Sequence, residues 1–321
     1  MTDYKKIFVE IVNQTRDYLI QNNIKTMVLG VSGGIDSTVT AAICHEVKRQ
    51  FPKDGFRLIL VSLPCSTNAQ DERHSAEQTI SAFGEYTDSM THSLQKEFSM
   101  IRGAFEDDYS WLKVAETKVA LGNIKARLRM MYLYNLASLT NGIVMDTDNL
   151  TEHYLGFWTI HGDVGDFNPI GGLWKHEVYG LAKWMSNEYY QDFPHQMSGW
   201  ASRCINALRT ACTLVPTDGN GVKVGGDLAQ IAPGLTYDQV DDVLMWFLNP
   251  KTNLKHYWKH FSEGEWPEHV RHSYYEMCDK YGEESVKMII DRHLKSEFKR
   301  KRLPIAIERD SYKEAFKNEQ D

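Results

Sequence analysis

No two of the five cysteines (Cys44, Cys65, Cys204, Cys212 and Cys278) stand as C-x-x-C, and their number is odd. A disulfide framework is therefore not expected, and the reduced thiols of a cytoplasmic protein are. No zinc-type constellation of ligands is present either. No apolar run is long enough to cross a membrane, and the opening MTDYKKIFVE has no signal-peptide pattern, so no membrane partner is expected. Basic residues are in the minority. The 36 Lys and Arg against 43 Asp and Glu leave a formal net charge of −7, which argues against a general nucleic-acid surface. What the 321 residues do supply is enough chain for a full core, as one large α/β domain or as one domain with an appendage.

The stretch TMVLGVSGGIDST, residues 26–38, organises the rest. Residues 27–31 are an apolar run read as a buried strand. The run breaks at Ser32, Gly33 and Gly34, and residues 38–47 place Val39, Ala42, Ile43 and Val47 at helical spacing. In a strand–glycine turn–helix, backbone N–H groups and a helix N-terminus face one anion. Adjacent glycines let the backbone approach phosphate oxygens, and Ser32 and Ser37 add hydroxyl donors. Asp36, a carboxylate beside such a nest, calls for a divalent cation between them. The Walker pattern G-x-x-x-x-G-K-[ST] is absent. The hexapeptide S-G-G-I-D-S instead resembles the loop of the ATP pyrophosphatases, which grips the pyrophosphate released when ATP donates AMP.

Residues 3–22 form an amphipathic helix before the first strand, and residues 58–63 read as a second buried strand after the turn at 52–55. Alternating strand and helix imply a parallel sheet, whose ligands bind beyond the carboxyl ends of the strands. Residues 66–84 read as a helix. The polar stretch 85–116 reads as strand fragments and a mobile loop, with Glu106, Asp107 and Asp108 as a solvated acidic surface. A long helix is expected from Leu121 to about Leu139, with Arg127 and Arg129 pointing to different faces. The strand Ile143-Val-Met follows, then a helix opened by Asp146-Thr-Asp-Asn-Leu-Thr-Glu152, and Lys175 leads another.

G-N-I-K-A-R-L-R-M at residues 122–130, downstream of S-G-G-I-D-S, resembles the ammonia-dependent NAD⁺ synthetases. Thr147 and Glu152 match the family's G-T-D/G-x-x-x-E, and residues 156–170 resemble its G-x-F-T-K-Y-G-D-G-x-x-D-x-x-P segment. Pro216-Thr217, Gly234-Leu-Thr-Tyr-Asp238 and the basic run before Pro304 follow in the family's order. The resemblance spans roughly residues 5–245 and 296–305. It implies a doubly wound, mainly parallel α/β fold of the adenine-nucleotide α-hydrolase type over residues 1–245. A helical C-terminal extension over 246–321 would end in a basic segment that contacts substrate.

The reaction so implied is ATP-dependent amidation of nicotinic acid adenine dinucleotide to NAD⁺ through an acyl-adenylate, with AMP and pyrophosphate released. Carried over residue by residue, Gly30, Val31, Ser32, Gly33, Gly34, Ile35, Asp36, Ser37, Thr147, Lys175 and Thr217 would contact ATP. Asp36 and Glu152 would hold Mg²⁺. Arg127, Asp166, Phe298 and Lys299 would meet the dinucleotide, with Asp36 and Asp166 in catalytic roles and Asp166 placed to take a proton from ammonium. A homodimer is expected by the resemblance, with free or donated ammonia as the nitrogen source.

Five departures bear on the second substrate. Ile160 stands where the family usually has a lysine, Asp146 replaces a glycine, Phe298 takes a histidine's position, residues 162–166 are one residue short, and the basic run at Lys299 and Arg300 has one residue extra. The histidines and tryptophans of 246–295 read as helical packing rather than metal ligands. Two rival readings are another pyrophosphatase-loop amidase or thiolase, and a regulator that binds nucleotide without chemistry. Retained Asp36, Glu152, Lys175 and Thr217 argue against the regulator.

Overall fold

A computed structural model describes residues 2–65, 69–84, 88–108, 118–194, 197–216 and 227–300. Four strands pair in the order β3-β2-β1-β4, every pair parallel. They are β1 (Thr26–Gly30), β2 (Arg57–Ser62), β3 (Met90–Thr91) and β4 (Gly142–Met145). Each of the central strands is buried on both faces, which is why it reads as an unbroken apolar run. Met27, Leu29, Leu58 and Leu60 enter the core on one face of the sheet, and Val28, Ile59, Val61 and Val144 enter the core on the other.

Helices cover both faces, giving the doubly wound arrangement. On the first face pack α1 (Tyr4–Gln21), α2 (Ile35–Gln50) and α3 (Gln70–Phe83). On the second lie α4 (Gln95–Asp108) and α5 (Lys118–Leu139). The helix α4 corrects the expected loop in part of 85–116. Phe98 is its one buried side chain, so its apolar signal is weak, and it forms by docking on α5. Glu106, Asp107 and Asp108 are exposed at its end, as a solvated acidic surface requires.

After β4 come α6 (Leu150–Leu155), α7 (Lys175–Trp184) and α8 (Ser198–Thr213), the last two returning to the first face. A second apolar cluster joins Leu155 of α6 to α9 (Tyr237–Leu248), α10 (Leu254–His260), α11 (Glu268–Tyr281) and α12 (Glu283–Lys295). These C-terminal helices bury Phe247, Tyr274 and Ile290 fully, as helical packing. Residue 245 lies inside α9.

The strand order places the site. From β1 the chain steps outward to β2 and β3, then crosses back to pair β4 on the opposite edge of β1. The loops leaving β1 and β4 therefore diverge and open a crevice at the carboxyl end of the sheet.

Candidate active site

At that crevice the turn after β1 is held open by its own hydrogen bonds. Gly33 has φ +91°, and a Cβ there would lie 2.1 Å from the carbonyl oxygen of Glu72 in α3. The Ser75 hydroxyl donates to the Gly33 carbonyl at 2.7 Å, which fixes α3 against the turn. Gly34 caps α2 without a side chain, and its amide donates to Ser32 Oγ at 3.2 Å. Ser37 Oγ accepts from the Ser32 amide at 3.3 Å and lies 3.0 Å from Ser32 Oγ. The first turn of α2 thus presents amides, hydroxyls and a dipole end to one cleft, the requirements of a phosphate group.

That cleft has a volume of about 690 Å³. Gly30, Val31, Ser32, Gly34, Ile35, Asp36 and Ser37 line it, joined by Thr147, Glu152 and Lys175. Gly33 lies behind this wall and shapes it. Thr217 falls outside the described residues.

Three charged groups meet where α2, α6 and α7 begin. Lys175, which its position alone would assign to the surface, is 1 % exposed. Its Nζ pairs with Asp36 Oδ2 and with Glu152 Oε1, the latter at 3.0 Å. Burial alone would lower the ammonium's pKa, but Asp36, Glu152 and Tyr237 hold it well above the usual lysine range. Asn149 supports both acids: its Nδ2 donates to Asp36 Oδ1 at 2.8 Å and its amide to Glu152 Oε2 at 3.1 Å. Glu152 is therefore at once a capping-box residue of α6 and a wall of the cleft.

Asp241, missed by motif reading, braces this junction from α9. Fully buried, it accepts from the Thr151 hydroxyl, and from His176 through its amide at 3.0 Å and its ring at 2.9 Å. It ties the starts of α6 and α7 together, and only the tertiary fold reveals that.

Two acids follow β4, Asp148 lining this cleft and an adjoining cavity, Asp146 the adjoining cavity only. Asp146 is 7 % exposed and accepts from the amides of Thr147 at 2.7 Å and Asp148 at 3.2 Å. Burial pushes its carboxyl up to about 6, against the lowering effect of these backbone donors. Burial and the charges of Asp146, Glu152, Asp163 and Asp36 push Asp148 well above the ordinary range. An unfolded aspartate titrates near pH 4. Below that both states are protonated, and as pH rises toward 6 the unfolded chain gives up its proton first, so stability falls. Asp146→Asn removes this fall. In urea titrations the variant should gain on the order of 2–3 kcal/mol relative to the parent between pH 4 and 7.

The expected dinucleotide contacts do not converge on one place. Asp163, not Asp166, lines the cleft, with Oδ1 accepting from the Thr159 amide at 2.6 Å. Asp166 lines neither cavity and extends the edge of β4: Oδ2 accepts from the Val144 amide at 3.2 Å and Oδ1 from Tyr134 at 2.7 Å. Arg127 lines the adjoining cavity of about 900 Å³ and donates to the Ile160 carbonyl at 3.2 Å, whereas Arg129 lines the first cleft. Lys299 borders both cavities, over the Trp158 ring at 5.4 Å. Phe298 is half exposed and borders neither. From α12, Met288, Arg292 and Lys295 also reach the cleft, which periodicity in the C-terminal segment could not foretell.

Among the described residues no group of three or more His, Cys, Asp and Glu is arranged to hold a metal by itself. Asp36 and Glu152 do converge on one cation, the ammonium of Lys175. That donor set fits a hard divalent ion completed by phosphate oxygens and water. No described helix is long and apolar enough to cross a membrane.

The family model for NAD synthase matches residues 7–198. The NH(3)-dependent NAD(+) synthetase of Campylobacter jejuni subsp. jejuni is 32% identical over 188 residues, 57% of this chain and 69% of that protein. The same enzyme of Burkholderia cenocepacia is 27% identical over 237 residues, 71% of this chain and 74% of that protein. Among solved structures, the NMN synthetase of Francisella tularensis aligns with a TM-score of 0.66 at 24% identity, covering 97% of this chain and all of that one. The NH3-dependent NAD synthetase of C. jejuni aligns at 0.60 with 23% identity, covering 96% and 100%. At these identities the structures establish the fold.

Proposed function

Because the chain belongs to the NAD synthase family, we propose that it amidates nicotinic acid adenine dinucleotide to NAD⁺ at the expense of ATP. The observation that carries this reading is the meeting of the glycine turn, Asp36, Glu152 and Lys175 in one cleft. The substrate carboxylate attacks the α-phosphorus of ATP, giving an acyl-adenylate and pyrophosphate. Ammonia then adds to the activated carbonyl and AMP leaves. Both nucleophile and electrophile belong to substrates, so the protein acts by placing them and by balancing charge.

The turn and the first turn of α2 receive the phosphates, and Lys175 supplies a point charge to them. Asp36 and Glu152 would hold Mg²⁺, which when bound draws charge from the phosphate oxygens and favours departure of pyrophosphate. Asp163, facing the cleft, is the acceptor for a proton from ammonium or from the tetrahedral adduct. Arg127, Lys299 and Trp158 border the adjoining cavity and suit the anionic, aromatic dinucleotide. A homodimer belongs to this reading, and exposed Met131 and Leu139 on α5 give it apolar surface to bury. A cytoplasmic location belongs to it as well.

Purified protein should convert the dinucleotide, ATP and ammonium to equimolar NAD⁺, AMP and pyrophosphate only when Mg²⁺ is present. AMP without NAD⁺ would point to another acceptor, and no turnover would favour the regulator. Arg127→Met should raise KM for the dinucleotide about tenfold, equivalent to roughly 1.4 kcal/mol of binding, and leave KM for ATP unmoved in the same steady-state assay.

A further inference from the structure

In this chain every oxygen of the two acids assigned to the metal is already engaged. Asp36 Oδ2 and Glu152 Oε1 take the ammonium of Lys175, Asp36 Oδ1 takes the Asn149 side-chain amide, and Glu152 Oε2 takes the Asn149 backbone amide. The lysine is 1 % exposed, and the Tyr237 ring lies 5.2 Å from its Nζ. Two carboxylates left together in such a place would repel each other and lose their hydration, so an internal cation stabilises the free site. A divalent ion cannot add to this arrangement without facing the ammonium at contact distance. Lys175 can leave only if another anion receives it, and the triphosphate is that anion.

We propose that Lys175 is the resident counter-ion of the free site. It fills the cation position between Asp36 and Glu152 and exchanges to the phosphates when metal and nucleotide arrive together. This rests on the reading of Asp36 and Glu152 as the metal-holding pair and adds an order to it. Metal alone is kept out, and metal and nucleotide strengthen each other's binding by the same factor, since such coupling is reciprocal.

The test is Mn²⁺ binding to the full chain, followed by the loss of free-ion EPR signal and by melting, with and without α,β-methylene-ATP. Wild type without nucleotide should bind Mn²⁺ weakly, and its Tm should not respond to Mg²⁺. With the nucleotide it should retain protein-bound Mn²⁺ that Asp36→Asn loses. Lys175→Gln without nucleotide should melt lower than wild type, bind Mn²⁺ at least about tenfold more tightly than wild type, and regain Tm on adding Mg²⁺. Asp36-dependent Mn²⁺ binding to wild type as tight without nucleotide as with it would overturn the inference, and this arm needs no Lys175 variant. A folded Lys175→Gln with no gain in Mn²⁺ would overturn it too, while leaving the metal-holding pair standing. Absence of Asp36-dependent Mn²⁺ even with nucleotide would overturn that pair and the inference with it.

Discussion

Asp36→Ala should all but abolish AMP formation from ATP, the dinucleotide and ammonium, lowering kcat by at least about 10³-fold, the scale on which a preorganised group at a charge-developing centre acts. Asp36 stands in the first turn of α2, next to the phosphate turn and in contact with both Asn149 and Lys175. Losing it removes one of the two acids assigned to the cation and leaves Lys175 paired to Glu152 alone. The ammonium should then be drawn to Glu152, which opposes cation entry further. Chromatographic assay of AMP, alongside a melt to confirm the fold, separates this from simple unfolding. Activity within tenfold of wild type would remove Asp36 from the chemistry.

Gly33→Ala should unfold the turn. The residue sits at φ +91°, and the new Cβ would meet the Glu72 carbonyl oxygen at 2.1 Å and the Ala76 amide at 2.9 Å. Both obstacles are backbone atoms of α3, which cannot rotate away. Strain and displacement together should cost about 3 kcal/mol or more, with ATP affinity lost as α3 shifts. Gly103, in α4, is the control, because nothing lies within 4 Å of a Cβ added there. Gly103→Ala should stabilise the protein by about 0.5–1 kcal/mol through helix propensity. Chemical denaturation of the two variants reads both signs.

These two glycines also mark what could be read ahead of the structure. The turn was legible because its chemistry is local: an apolar strand, two glycines, hydroxyls and an acid within a dozen residues. The parallel sheet followed from strand–helix alternation, and the helices covering its two faces agree with it. Helix α4 was illegible because Phe98 is its single buried side chain, leaving no periodic stripe to detect. Asp241 and the α12 side chains were hidden for another reason. Asp241 acts from α9 on the helix starts behind the cleft and the α12 side chains reach the cleft itself, and no spacing rule connects residue 241 to residues 151 and 176. The choice between Asp163 and Asp166 depended on how a short loop turns beside β4, where the Gly165 Cα meets the backbone of Asp146 too closely to admit a Cβ. One aspartate there is spent on the Val144 amide and the other faces the cleft.

Asp146 follows β4 directly. Its carboxylate is satisfied by the loop it sits in, with Asn168 donating to Oδ2 at 3.3 Å. Burial raises the carboxyl to about 6, so part of its charge is withdrawn on mild acidification. The first cleft brings Asp36, Glu152 and Lys175 together, while Ile160 in the adjoining cavity has Arg127, His161 and Lys299 as basic neighbours.

In the proposed reaction a carboxylate attacks the α-phosphorus of an ATP held across the turn after β1. Dinucleotide labelled with ¹⁸O in its nicotinate carboxyl tests it directly. After turnover with ATP, Mg²⁺ and ammonium, mass spectrometry should find one ¹⁸O in the phosphate of AMP and none in pyrophosphate. Label in inorganic phosphate with ADP as the other product, or AMP free of label, would contradict it.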